Sequence, residues 1–415
     1  MEAKISRVAQ GLKSSPIQDL SHLAQRCGAI NLAEGFPDFP APAPIKEAAI
    51  TAIGSDLNQY RHVQGICDLV AESMKRRYRL DVNPLADVVI CVGQTEAFAS
   101  AVFAVIDPGD EVLLFDPAYE TYETCIALAG GVPMREIDIV NQVYVALDPP
   151  NWKLNVERFM KSFTDRTKAV VLNSPHNPTG KVFSRDELET IAKACRNMNC
   201  IAITDEVYEY ITYDMETHIP LATLPDMQER TIITSSLSKT FSVTGWRIGW
   251  AIAPECIASA IRNIHIKITD SAPAPFQEAA LTALRSPPAY YKSLNKDYEM
   301  KRDYIVKMLA EAGFRISFKP QGSFFLFAEL PPSCQLSDVD FVRKLIEKAG
   351  VAAVPGRGFF HNDPVSTKLA EPSPSSNNHQ TRYIRFAFCK SDATLSAAAR
   401  KMGEVAWTDM GLKLD

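Results

Sequence analysis

Apolar positions along the chain fall into two forms, short unbroken runs and stripes with helical spacing. Val88-Val-Ile-Cys-Val is an unbroken run too short for a helix, and Gly93-Gln-Thr-Glu then opens a helical stripe through residue 105. The same pattern predicts strands over 112–115, near 132–137, and over 169–172, 200–204, 231–234 and 248–253. Helices are predicted over 122–129 and 186–198. Unbroken apolar runs are what strands covered on both faces require, so the fold class is α/β, a large domain with a mainly parallel wound sheet flanked by helices. In such sheets ligands collect at strand ends.

Both flanks read differently. A helical pattern begins at Ser14-Ser-Pro16 and runs through Asp19, Leu20, Leu23 and Ala24, followed by a proline-rich extended stretch that has no core of its own and must lie on a neighbour. Helices are predicted over 44–53 and 66–78, separated by a polar loop that carries Tyr60. Beyond residue 253 come helices over 257–268, 275–284 and 290–312. Two neighbouring strands are then predicted over 314–318 and 323–328, followed by a helix over 338–349, a strand over 383–389 and a last helix from 394. This second series predicts a smaller α+β domain. The division is an arm over 1–40, a large domain over 41–290 and a small domain over 291–415. Residues 361–380, rich in Ser, Pro and Asn, read as a mobile surface loop.

Composition narrows the function classes. With 415 residues, 46% hydrophobic, 22% charged and a net charge of −5, the chain is of ordinary globular make-up and offers no electrostatic attraction for nucleic acid or an anionic membrane. No apolar run reaches the roughly 18 residues a membrane span needs. The start of the chain lacks an export signal, and the 9 cysteines are scattered without zinc spacing, which reads as reduced thiols in the cytoplasm. The 7 histidines are equally dispersed, so no metal site is expected.

The chemistry concentrates between the runs at 231–234 and 248–253. Ser236, Ser238, Lys239 and Arg247 sit between two buried strands, a set in which hydroxyls and a guanidinium suit a phosphate and an amine suits a carbonyl. That pairing fits pyridoxal 5'-phosphate. No Gly-x-Gly-x-x-Gly follows the first wound strand, which sets aside a dinucleotide-dependent dehydrogenase.

Further motifs stand at other strand ends: Asn177-Pro-Thr-Gly180, Asp205-Glu-Val-Tyr208, Gly245-Trp-Arg-Ile-Gly249 and Tyr383-Ile-Arg-Phe386. With Ser236-Leu-Ser-Lys239 and Tyr119 they make the chain resemble, from about residue 14 to about 407, the fold-type I pyridoxal-phosphate enzymes. Within them it is similar to class I/II aminotransferases of the kynurenine, glutamine and methionine branch.

The resemblance implies a role for each residue. Lys239 binds the cofactor aldehyde and later moves the substrate Cα proton. Asp205 faces the pyridine nitrogen, and Tyr208 and Asn177 face the phenolic oxygen. Tyr119 stacks on the ring. Gly93, Thr95 and the backbone of Glu96 open a helix at the phosphate, joined by Ser236, Ser238 and Arg247. Tyr60 reaches the phosphate of a second copy, which implies a homodimer. Arg385 clamps the substrate α-carboxylate, Gly35 leaves room for it, and Ile17, with Gln94, stands where the branch commonly has aromatic groups.

The expected activity is therefore transfer of an amino group from an aromatic or neutral amino acid to a 2-oxo acid. A cysteine-conjugate β-lyase or an oxidase on the same fold is the alternative, and an aspartate-type enzyme is disfavoured because no second cationic clamp is evident.

Overall fold

The computed structural model describes residues 5, 9–10, 16–130, 141–360 and 380–405. In chain order the strands that build the site are β1 (Ile30–Asn31), β2 (Val88–Val92), β3 (Glu111–Asp116), β4 (Asn141–Asp148), β5 (Lys153–Leu154), β6 (Thr167–Asn173), β7 (Ile201–Asp205), β8 (Thr231–Ser236) and β9 (Ile248–Ile252). They are followed by β10 (Phe325–Glu329), β11 (Val351–Ala352), β12 (Val354–Pro355) and β13 (Tyr383–Ala387).

An eight-stranded sheet runs in the order β2-β9-β8-β7-β6-β3-β4-β5. The pairs among β4, β3, β6, β7 and β8 are parallel, while β9 is antiparallel to both β8 and β2. Its strands alternate between two cores. Val89 and Cys91 of β2, Val112 and Leu114 of β3, and Ala169 and Val171 of β6 enter one cluster. Leu113, Phe115, Val170 and Leu172 enter the cluster on the opposite face. Burial on both faces explains the unbroken apolar runs.

The antiparallel β9 has a consequence for the site. Because it reverses twice, β2 runs in the same direction as β8, so the carboxyl ends of β2, β3, β6, β7 and β8 share one edge. Arg247 immediately precedes β9 and arrives at that edge as well.

Helices follow the predicted pattern with ends shifted by a few residues: Pro16–Arg26, Ala43–Gly54, Gln64–Tyr78, Gly93–Val105, Glu120–Gly130, Arg185–Asn197, Glu255–Thr269, Ala274–Leu284, Pro288–Glu311 and Asp392–Gly403. Ser184 closes a capping box with Glu187 at the start of Arg185–Asn197, two backbone donors being satisfied at once.

After the long helix Pro288–Glu311, β10, β13 and β12 form a three-stranded antiparallel sheet. The arm joins this part of the chain, since Ile30 and Asn31 pair in parallel with Val351 and Ala352.

Some expectations need correction. Residues 314–318 are not a strand: Arg315 and Glu329 form an isolated bridge, and β10 takes β13 as its neighbour. Phe314 turns into the core against Phe341 and Phe386, and the chain then reaches Pro320, which lacks a ladder donor and whose carbonyl receives Arg302. The helix over 338–349 is α-helical only for Asp338–Lys344 and widens into a π turn over Leu345–Ala349. β4 was not anticipated. The strand expected near 132–137, and residues 361–379 of the expected loop, lie outside the described residues.

Candidate active site

The shared strand edge opens into a cavity of about 310 Å³. Lys239 lies on the turn after β8, and its Nζ donates to the carbonyl of Gly35 at 2.7 Å and stands 5.5 Å from the centre of the Phe324 ring. Burial pushes this amine down to about 8, against the opposing pull of Cys389 and Asp205. An amine poised there still carries its proton for most of the time at pH 7, but it is far closer to the neutral, basic form than an exposed lysine.

Asp205 ends β7 and is 4% exposed. Burial raises its carboxyl to about 6, although the Tyr122 hydroxyl donates to it at 2.6 Å and the Val207 N–H at 3.2 Å. A carboxylate held back from water in this way gains most from a positive charge placed opposite it.

Asn173 and Asn177 link the neighbouring strand end to this group. Asn173 Nδ2 donates to the Asp205 carbonyl at 3.0 Å, and the Asn177 N–H donates to Asn173 Oδ1 at 2.7 Å. Asn177 Oδ1 in turn accepts from Arg385 Nη1 at 3.0 Å. Tyr208, 4% exposed, lines the cavity edge-on to Phe324 and Phe325, and Tyr119 lines it from the segment following β3.

Arg385 is the most demanding group. It lies on β13 at 1% exposure, with Nη2 donating to the Ala33 carbonyl at 2.7 Å, and its Nε has no hydrogen-bond partner among the described residues. Its guanidinium carbon stands 4.2 Å from the centre of the Phe325 ring and 4.7 Å from that of Phe359. Burial brings it down to about 10. A buried cation whose described hydrogen bonds go only to neutral acceptors is costly unless an anion completes it.

Arg247, half-buried, lines the same cavity and likewise has no anionic partner among the described residues. It takes a left-handed φ of 56°, and its described hydrogen bonds go to the carbonyls of Thr244 (2.9 Å) and Val92 (3.5 Å). Gly93 has φ +76 and lies beneath this guanidinium, where a Cβ would collide with it. A Cβ on Gly249 would come within 2.5 Å of the Gly93 carbonyl carbon. The two glycines let the start of the helix Gly93–Val105 sit against β9, with Thr95, Ser236 and Ser238 lining the same end of the cavity.

The structure thus brings Gly35, Ile17, Gln94 and Thr95 to one cavity with Tyr119, Asn177, Asp205 and Tyr208. Ser236, Ser238, Lys239, Arg247 and Arg385 line it too. Gly93 supports the cavity without lining it. The Glu96 carboxylate points away, accepting from the Val92 N–H, from Ser100 and from the His265 ring, so only its backbone is free to face an anion. Together with Cys91, Glu96 and His265 form a compact group whose ligand atoms lie within 4.8 Å of one another, and the hydrogen bonds just named account for the carboxylate. Tyr60, 77% exposed, lies outside the cavity of its own chain.

Sequence reasoning missed Tyr122 and Asn173. Tyr122 stands three residues after Tyr119, hence on the same side of the helix that begins at Glu120, which was the available signal.

Residues 28–388 match the family described as aminotransferase class I and II. The chain belongs to that family. The aminotransferase is 34% identical to a methionine aminotransferase of Escherichia coli (93% of this chain, 94% of the other) and 35% identical to a kynurenine–oxoglutarate transaminase of Dictyostelium discoideum (92% and 91%). It superposes on the structure of an N-succinyldiaminopimelate aminotransferase from Mycobacterium tuberculosis with a TM-score of 0.87 at 35% identity, covering 96% of this chain and 99% of the other. Its fold is that of the fold-type I aminotransferases, which depend on pyridoxal phosphate.

The residues present fit that cofactor. Two guanidiniums line the cavity, Arg385 buried and Arg247 half-buried, and neither has an anion among the described residues. Between them stand a depressed lysine amine and a raised carboxyl. A phosphate at Arg247 and a substrate carboxylate at Arg385 would complete both.

Proposed function

We propose that the aminotransferase moves the amino group of an aromatic or neutral L-amino acid, of the kynurenine, phenylalanine, methionine or glutamine kind, to a 2-oxo acid in two alternating half-reactions. The charge inventory of the cavity carries this reading. Arg385 matches one carboxylate, Arg247 with Ser236 and Ser238 matches a phosphate, and the remaining mouth residues Ile17, Gln18, Glu34 and Phe36 bring no further cation for a second carboxylate.

When bound, pyridoxal phosphate supplies an aldehyde that takes the amino group and a ring that draws electrons from the substrate Cα. Arg385 holds the α-carboxylate through a planar fork, fixing the direction of the Cα–H bond. Lys239 Nζ would hold the cofactor aldehyde and, as a free amine, would take the proton from the substrate Cα and give it up to the carbon that receives the amino group. Asp205 stabilises positive charge at the ring nitrogen, with Tyr122 holding the carboxylate in place. Tyr208 and the Nδ2 of Asn177 offer donors to the ring oxygen. Phe324 faces the amine and Phe325 lines the cavity beside it, which lowers the polarity around Lys239.

The working unit in this reading is a homodimer in the cytoplasm. Tyr60 and Ile266, 77% and 45% exposed, line one surface groove together with Arg61, Arg262 and Asp270, and a mixed apolar and charged surface of that kind suits a second copy whose phosphate site Tyr60 would reach. All nine cysteines are free, as a reducing compartment favours, and no helix of the described residues is long and apolar enough to cross a membrane.

A panel of donors against several 2-oxo acids tests the substrate class. Kynurenine, phenylalanine, methionine and glutamine are expected to turn over faster than aspartate or N-succinyldiaminopimelate. Equal or better turnover of either of these polycarboxylic donors contradicts the reading. Product formation without an oxo acid, with pyruvate release or oxygen uptake, would point instead to a β-lyase or an oxidase.

A further inference from the structure

The stretch from Leu32 to Asp38 crosses the mouth of the cavity and is tied almost residue by residue to the segment that runs from β13 into the helix Asp392–Gly403. The Ala387 N–H donates to the Leu32 carbonyl at 2.8 Å, and Arg385 Nη2 to that of Ala33 at 2.7 Å. Lys390 Nζ donates to the carbonyls of Glu34 (3.1 Å) and Phe36 (2.9 Å). The Ser391 N–H and the Thr394 hydroxyl both hold the Asp38 carboxylate.

Gly35 is the exception. Its carbonyl turns the other way and accepts from Lys239 Nζ at 2.7 Å. Its Cα is pressed so close to the Phe325 ring that a Cβ would come within 2.5 Å of Cζ, so the strap cannot shift inward or carry a side chain here.

Lys390 is 2% exposed, with its ammonium 4.0 Å from the centre of the Phe36 ring. Burying a lysine whose described hydrogen bonds go to two neutral carbonyls is unfavourable for stability alone. Its three donors, however, suit two carbonyls flanking a third that must face away.

We propose that Lys390 is a positioning residue: by gripping the carbonyls on both sides of Gly35 it aims the Gly35 carbonyl at the amine of Lys239. The inference rests on Lys239 being the reacting amine. Through the strap, the β13 corner that carries Arg385 and the amine that moves the proton are held in one arrangement. The other titratable groups that face Lys239 are Asp205, Cys389, Arg385 and Arg247. Of these, Cys389 also feels the charge of Lys390, and losing that charge only drives its buried thiol further up, so it stays neutral; Lys390→Arg keeps the charge and controls for this.

The Gly35 carbonyl accepts only from the amine's N–H and so favours its charged form. Loosening the carbonyl should therefore lower the pH at which Lys239 becomes neutral. The test uses cofactor-free protein, with acetic anhydride labelling of Lys239 followed by mass spectrometry across pH. In Lys390→Met the labelling midpoint is expected about one pH unit below that of the parent. Lys390→Arg, which keeps two donors, should restore it. In the reconstituted enzyme Lys390→Met should lower kcat more than it raises KM for the donor.

A folded Lys390→Met protein with the parent midpoint overturns the proposal, as does an Arg variant shifted as far as the Met variant. Should the Met variant fail to fold, Lys390→Gln, which keeps an N–H donor for one carbonyl only, is expected at an intermediate midpoint, and a parent-like value overturns the proposal equally. Labelling is read without cofactor, so it is decided separately from whether borohydride fixes the cofactor on Lys239.

Discussion

The hydroxyl of Tyr122 donates to Oδ2 of Asp205 over 2.6 Å, inside a core where both residues are less than 5% exposed. The bond lowers the cost of keeping Asp205 charged, against the burial that raises it. Tyr122→Phe removes that support without leaving a large void. The expected outcome is a fall in kcat of about tenfold, the worth of one hydrogen bond to a charged group, with little change in KM for the donor. Steady-state kinetics check this, and an unchanged kcat contradicts the role.

Arg385 supplies the second prediction. Replacement by Ala removes the proposed carboxylate clamp and leaves Asn177 Oδ1 and the Ala33 carbonyl without their donor. We expect kcat/KM for amino donors to fall by about a hundredfold or more, mostly through KM. Arg385→Lys should recover only part of this, because an ammonium cannot serve Asn177, Ala33 and a carboxylate in one plane. Unchanged apparent affinity in the Ala variant contradicts the assignment.

Asp205 makes the cofactor-free protein sensitive to pH. Its carboxyl is raised from 3.8 to about 6 by burial, so the folded state favours the protonated form. The stability this contributes is fully present below the unfolded value and is lost as pH rises through about 6. The loss between pH 4 and 7 is about 3 kcal/mol from this group alone, at about 1.4 kcal/mol per pH unit. Thermal melts of cofactor-free Asp205→Asn should lack this component. A parent and variant that change in parallel over that window contradict it.

Much of the fold and site was legible because the sheet is buried on both faces. Residues such as Val89 and Val170 had to be apolar whichever way they pointed, so β2 and β6 appear as continuous runs. Lys239, Asp205 and Arg385 were legible through the motifs that together carry the family resemblance; each alone reads as well as a solvated loop lysine, a helix cap or a strand-surface arginine. Tyr122 was hidden because a buried tyrosine looks like any core aromatic until its hydroxyl is seen to meet Asp205. Residues 314–318 misled because Phe314, Ile316 and Phe318 alternate like a half-buried strand, yet they pack as separate side chains after a single bridge. Lys390 was illegible for a similar reason: its partners are backbone carbonyls more than 350 positions away, which leave no mark on residue type.

Tyr60 tests the assembly. If it completes the phosphate site of a second copy, gel filtration should give a dimer, and Tyr60→Ala should release cofactor about tenfold more readily while the dimer persists. A monomer with full activity contradicts the proposed unit.

The central claim is that the amine of Lys239 carries the cofactor covalently. Borohydride reduction of the purified protein after incubation with pyridoxal phosphate, followed by peptide mass analysis, tests it most directly. The account predicts the mass of the reduced cofactor on Lys239 and its absence in Lys239→Ala. A protein that stays unmodified at Lys239, or that carries the cofactor on another lysine, would contradict it.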